Sequence, residues 1–190
     1  MKARHPLQRQ MLFADAIREI SPAGQLLWEW HQYDSIPIER QARVIAPPDW
    51  WAGIENNSYA DWTHTNTVRP LPENRWFDSG DARFRPGNVL VMLRQLDVAF
   101  IVDRETKRIV WEYTGDYKGG LAGPHEAEMI PKGIPGAGNI LMFDNGCAPQ
   151  NDLQHAGRSF ILEVEPATKQ VVWVYDPGEC LHSNFSCSCQ

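Results

Sequence analysis

With 190 residues, 43% of them hydrophobic and 22% charged, the chain can bury a sizeable core and lacks the composition of a disordered one. A formal charge of −6 and a pI near 5.5 leave no basic footprint, and the lysines and arginines are scattered, so no nucleic-acid partner is expected. No apolar run reaches the roughly 18 residues needed to span a bilayer, and Met11-Leu12-Phe13 is broken at once by Asp15, so no export signal is expected and the compartment stays open.

In chain order, residues 1–13 read as an N-terminal extension. The β-prone segments 16–21 and 25–30 flank Pro22-Ala23-Gly24 and predict a hairpin. Residues 31–60, rich in Pro, Trp and Asn, show no sustained periodicity and read as an ordered loop packed over a binding mouth. Then a pattern begins that occurs twice. Its first copy runs from His64-Thr65-Asn66-Thr67-Val68 to Gly87-Asn88-Val89-Leu90-Val91, then residues 98–103, then 108–113 with Trp111. The second runs from 125–130 to Gly138-Asn139-Ile140-Leu141-Met142, then 159–165, then 170–175 with Trp173. The histidines are 61 residues apart and the tryptophans 62, and a fixed period marks a repeat. Loops 72–86 and 144–157 carry turn residues, and Asp144-Asn145-Gly146 reads as a turn.

Four short strands per repeat is the make-up of a propeller blade. The expected fold is all-β: a β-propeller of four-stranded antiparallel blades, present as about two and a half blades. These are a half blade at 14–30, blades at 61–113 and 123–175, and the start of a next blade at 176–190. The hairpin matches the closing half of each blade, so Trp28, Trp111 and Trp173 coincide on the outermost strand and are expected to pack in the core or at the rim. Closed propellers have four to eight blades. A truncated chain is therefore expected, and its open blade faces predict instability or association, giving a homo-oligomer. The first strand of a blade lies nearest the central channel, which puts His64 and His125 at the channel mouth.

Four cysteines, Cys147, Cys180, Cys187 and Cys189, lack the paired spacing of a structural zinc site. Unpaired thiols and a disulfide from Cys147 both stay open. The sequons at Asn56 and Asn184 carry no weight.

Several of these pieces together resemble the bacterial aryl sulfotransferases, which use an aryl sulfate donor in place of a nucleotide donor. The resemblance runs through Ala16-Ile17-Arg18-Glu19-Ile20, Gly24-Gln25-Leu26-Leu27-Trp28-Glu29-Trp30 and Asp61-Trp62-Thr63-His64-Thr65-Asn66, then Arg94. It is most specific at Gly123-Pro124-His125-Glu126-Ala127 and Pro135-Gly136-Ala137-Gly138-Asn139-Ile140-Leu141-Met142-Phe143-Asp144-Asn145-Gly146. It covers residues 14–177. It implies a six-bladed propeller and sulfuryl transfer in two half-reactions through a sulfated histidine, without a cofactor, between a small-molecule aryl sulfate and a phenol. Family members are often periplasmic or secreted. His64 and Asn66 match the family's first His-x-Asn strand, His125 the histidine of the next blade, and Arg94 the arginine ending the Gly-Asn strand. The family's sulfated histidine belongs to a later blade, where this chain has His182 as a poor match.

Sulfuryl transfer needs a nucleophile, donors for three sulfonate oxygens, and a proton for the departing phenolate. A neutral imidazole suits the first and third tasks. His64 and His125 are thus the expected catalytic residues, with Asn66 and Arg94 binding the sulfonate. Each has a plainer reading: the histidines bond a neighbouring carbonyl, Asn66 caps a turn, Arg94 pairs with an acid. A metal triad of both histidines with Asp144 or Glu126 is not required by the spacing, and no metal is expected. Two other functions stand beside transfer: a non-catalytic propeller used for binding, and a quinone-dependent dehydrogenase.

Overall fold

The computed structural model describes residues 11–40, 59–146, 158–178, 181, 183, 188 and 189. Among them, β-structure dominates. A hairpin of β2 (Ala16–Ile20) and β3 (Leu26–His31) is followed by an antiparallel sheet of β5 (Thr65–Pro70), β6 (Val89–Leu93), β7 (Val98–Val102) and β8 (Ile109–Tyr113). A second four-stranded antiparallel sheet holds β9 (Glu126–Met129), β10 (Ile140–Asp144), β11 (Phe160–Glu165) and β12 (Gln170–Tyr175). Each is a meander, so the strand that follows each repeat histidine is an edge strand. Both segments form the expected four-stranded antiparallel sheets, but each histidine lies one residue ahead of its strand and not on it.

Three details differ from expectation. Met11–Phe13, read as part of an extension, is strand β1, paired in parallel with β4 (Tyr59–Asp61). The loop after β5 holds a short helix, α1 (Arg75–Asp78), because the buried Asn74 side chain accepts from the Trp76 and Phe77 N–H groups. Trp173 is 48% exposed, whereas Trp28 and Trp111 are buried as expected. Of the loops, 41–58 and 147–157 lie outside the described residues, as do His182, His155, His5, both sequons, and all the cysteines but Cys189. Cys189 is a buried free thiol whose pKa is pushed up to about 12, first by burial.

Two cores alternate with the sheets. Val89, Val91, Leu93, Val98, Phe100 and Val102 on one face of the first sheet pack against Ile17, Trp28 and Trp30 of the hairpin. Leu90, Met92, Ala99, Ile101, Trp111 and Tyr113 on its other face meet Ala127, Met129, Ile140, Met142, Phe160, Leu162 and Val164 of the second sheet. The central strands β6 and β7 are therefore buried on both faces, which is why they read as unbroken apolar runs. The Gly138-Asn139 pair serves the joint between the sheets, whereas Asn88 donates to the Arg83 carbonyl and accepts from the Arg104 N–H within the first. Gly87 and Gly138 take left-handed φ of 89° and 88°, as glycine does without cost. Asn139 accepts from Arg75 at 2.8 Å and donates to Glu163, while the Trp76 indole donates to the Gly138 carbonyl at 2.7 Å. A Cβ at Gly138 would lie 3.1 Å from that indole nitrogen.

The inner strands of the two sheets are joined directly. Thr67 donates its hydroxyl to the His125 carbonyl at 2.8 Å, and Arg69 pairs with Glu126 at 3.0 Å. This seam brings the two histidine corners together.

Candidate active site

His64 sits in a corner built from its backbone. Its φ of 51° is left-handed, a conformation that costs about 1–3 kcal/mol for a non-glycine residue and persists only where surroundings enforce it. Here the enforcement comes from both sides. The Arg94 N–H donates to the His64 carbonyl at 3.0 Å and the Gln95 N–H to that of Thr63 at 3.2 Å. From the hairpin, the fully buried Gln32 accepts from the Thr63 hydroxyl and donates to the Thr65 hydroxyl at 2.6 Å. Asp15 accepts the Thr65 N–H at 3.0 Å.

Asn66 follows at a register shift. Thr65 pairs with Leu93 and Thr67 with Met92, which leaves Asn66 as the extra residue of a β-bulge. Bulges re-aim side chains and recur beside active sites. Its amide donates to the Pro124 carbonyl at 3.2 Å, so one of its two N–H donors is committed to the loop that carries His125.

His125 is fixed from below and from the side. The Ala122 N–H donates to the Asp144 carboxylate at 2.9 Å and the Gly123 N–H to Asp97 at 2.7 Å, with both carboxyls buried. The His125 N–H meets the Phe143 carbonyl at 3.0 Å. Its ring nitrogen Nδ1 lies 2.7 Å from Oδ1 of Asn145 and 3.2 Å from the Gly123 carbonyl. The Asn145 amide donates through Nδ2 to the Ser183 carbonyl at 2.9 Å, and this fixes which end faces the ring. Both neighbours of Nδ1 are acceptors, so Nδ1 carries the proton and Nε2 keeps its lone pair.

Electrostatics favour the same state. Burial lowers the His125 pKa below the usual 6.5, the charges of Arg94 and His64 push the same way, and the bonds to Asn145 and Gly123 oppose them. Arg94, just past β6, is itself buried. His64, Arg94 and His125 thus lie within electrostatic reach of one another, with Asn66 hooked beside them. Behind the loop, Asp144 is pushed up to about 7 by burial, against the N–H bonds of Ala122 and Gly146, with Asp97 adding to the rise.

Sequence reasoning missed Asn145 and Asp144, taken as turn residues, along with Asp15, Gln32 and Asp97. The signal for Asn145 was present. Counting from each Gly-Asn pair, Asn145 holds the place in the second repeat that Arg94 holds in the first. Both carboxylates considered for a metal triad are otherwise engaged, Glu126 with Arg69 and Asp144 with backbone N–H groups. A groove of about 220 Å³ between residues 69–72 and 128–131, floored by Leu71, Leu90 and Met129, is distinct from the histidine corners.

The sequence profile described as arylsulfotransferase (ASST) matches residues 2–180, a span that includes both histidine corners. The chain belongs to the arylsulfotransferase family. At the level of that family, the activity is aryl sulfuryl transfer and the substrates are small molecules. No curated protein and no solved structure matches the chain. For an arylsulfotransferase, a neutral imidazole beside a buried arginine combines a nitrogen lone pair with a positive field suited to an anionic ester.

Proposed function

We propose that this chain is the catalytic part of an aryl sulfotransferase built as a β-propeller, in which the two sheets and the hairpin are successive blades. His125 is the nucleophile. Its Nε2 attacks the sulfur of an aryl sulfate; the N–S bond forms as the S–O bond to the aryl group breaks, and the electron pair leaves on the phenolate oxygen. That oxygen takes a proton from His64. In the second half-reaction an acceptor phenol returns its proton to His64, its oxygen attacks the sulfur, and Nε2 recovers its lone pair. Arg94 and the second N–H of Asn66 bind the sulfonate oxygens, where fixed donors in a dry site stabilise developing charge most.

One observation carries the reading. Nδ1 of His125 faces two acceptors at 2.7 and 3.2 Å, which leaves Nε2 unprotonated at neutral pH while Asn145 stabilises the ring as it gains positive character. The seam that brings His64, Arg94 and His125 together supports the division of tasks.

The test follows release of a coloured phenol from its sulfate ester with a second phenol as acceptor, and intact mass of the protein quenched before acceptor is added. A gain of one SO₃ group on the wild-type chain, absent in His125→Ala, is expected. Turnover that survives in His125→Ala would move the nucleophile elsewhere. Neither transfer nor adduct in the wild type would favour a binding module.

A further inference from the structure

Two joints in this molecule are closed by the same latch. The Trp28 indole of the hairpin donates to the Arg104 carbonyl in the β7–β8 turn at 2.9 Å, and the Trp111 indole of the first sheet donates to the Pro166 carbonyl in the β11–β12 turn at 2.8 Å. Trp173 holds the same place in β12. It stacks on Tyr175 at 6.3 Å as Trp111 does on Tyr113 at 6.0 Å, yet it and Tyr175 are 48% and 46% exposed where Trp111 and Tyr113 are 3%.

The other half of the latch is unmet at the hairpin. In the two sheets, the residue before the turn, Val102 or Val164, packs back onto the preceding element, as do Ile109 or Val171 after it. Ala167, inside the second turn, joins them. The matching hairpin residues, Ile20 and Leu26, are 51% and 53% exposed. Between them, counted from the paired residue before each turn, Pro22-Ala23 falls where Pro166-Ala167 does in the turn that receives Trp111, although the hairpin turn is one residue shorter. The three turns share a backbone device too: Gly24, Lys107 and Lys169, each four residues before its tryptophan, take left-handed φ of 80°, 59° and 64°.

We propose that the exposed β12 face of one copy receives the β2–β3 hairpin of a second copy, with the Trp173 indole donating to the Pro22 carbonyl. The argument is continuity: the contact between copies would repeat the joint already formed twice within one, with a hairpin turn one residue shorter than the other two. Ile20 and Leu26 then pack against the second sheet as Val164 and Val171 pack against the first. Two different faces meet, so the association is head-to-tail and closes a ring or extends as an open chain.

Sedimentation velocity over a concentration series tests this with the full chain. The wild type is expected to associate as concentration rises. Trp173→Asp, which spoils one face, and Leu26→Asp, which spoils the other, are each expected to remain monomeric. Their equimolar mixture is expected to form a one-to-one dimer and stop there, because each variant keeps one intact face. Both sites are half exposed, and an unchanged thermal transition would confirm that the variants fold. Trp173→Phe keeps the ring and removes only the N–H, so the association constant should fall by about 3- to 10-fold, the worth of one neutral hydrogen bond. A wild type that remains monomeric throughout, a mixture that does not associate, or single variants that still self-associate would each overturn the proposal.

Discussion

His64 and His125 hold the same place in consecutive repeats, yet the fold fixes them by different means. At His64 the backbone is clamped: a left-handed residue lies between two threonines held by Gln32 and Asp15 from the hairpin. At His125 the side chain is clamped, with Nδ1 against Asn145 and the supporting loop hung from two buried carboxyls. The backbone clamp sets where the His64 ring leaves the chain, while the side-chain clamp at His125 selects one tautomer. In the proposed mechanism, the same position serves once for proton transfer, at His64, and once for bond formation, at His125.

The largest test of that contrast is His125→Ala. Loss of the proposed nucleophile should lower turnover by at least the roughly 10²- to 10⁴-fold of a lost acid or base, with the thermal transition nearly unchanged. Asn145→Ala should cost less, about 5- to 100-fold in turnover, since the ring stays but its tautomer is no longer selected. Asn145→Asp sharpens the point: a carboxylate beside Nδ1 raises the His125 pKa, so the acid limb of the pH–rate profile should move to higher pH.

Gln32→Ala attacks the other corner. It removes the Gln32 partner of the Asp15 N–H and of the Thr63 and Thr65 hydroxyls; only Thr63 is buried and it keeps Asp15 at 3.2 Å, so urea denaturation should show a loss of about 1–3 kcal/mol in all. Stability should also depend on pH from both directions. His125 has a folded pKa below 6.5, so its protonation penalises the folded state and stability falls as pH drops below about 6.5. Asp144 has a folded pKa raised from 3.8 to about 7, so the folded state resists its ionisation: this contribution is full below about pH 3.8, is lost as pH rises to about 7, and changes no further above that. Asp144→Asn, which keeps an acceptor for Ala122 and Gly146, should remove the loss of stability between about pH 4 and 7. The smallest effect is expected from His64→Gly. Relief of the left-handed φ should offset the loss of side-chain contacts and leave stability level or raised by up to about 1 kcal/mol while transfer activity drops, as measured by urea midpoint and phenol release.

Much of this was legible in the sequence, because sheets repeat at short range. The Gly-Asn runs and Trp-ended strands specify two four-stranded meanders, and the histidines opening them fall where inner strands meet. What escaped were residues whose role depends on distant neighbours. Gln32 and Asp15 precede the first sheet by a long loop, and nothing local to them announces that Thr63 and Thr65 will need partners. Asn145 in Asp144-Asn145-Gly146 carries every mark of a turn, and its bond to His125 follows from the pairing of β9 with β10. The exposure of Trp173 was hidden for the opposite reason: its strand is a faithful copy of β8, and only its neighbours differ.

The double burial of β6 and β7 has a consequence for time rather than for energy. Strands covered on both faces can exchange their amide protons only when the molecule opens as a whole, whereas the hairpin and β12 can open alone. The Arg94 N–H that holds His64 follows directly on β6, so the His64 corner is tied to the strands that are buried on both faces. A site anchored there would keep its geometry through many catalytic cycles while the outer elements come and go.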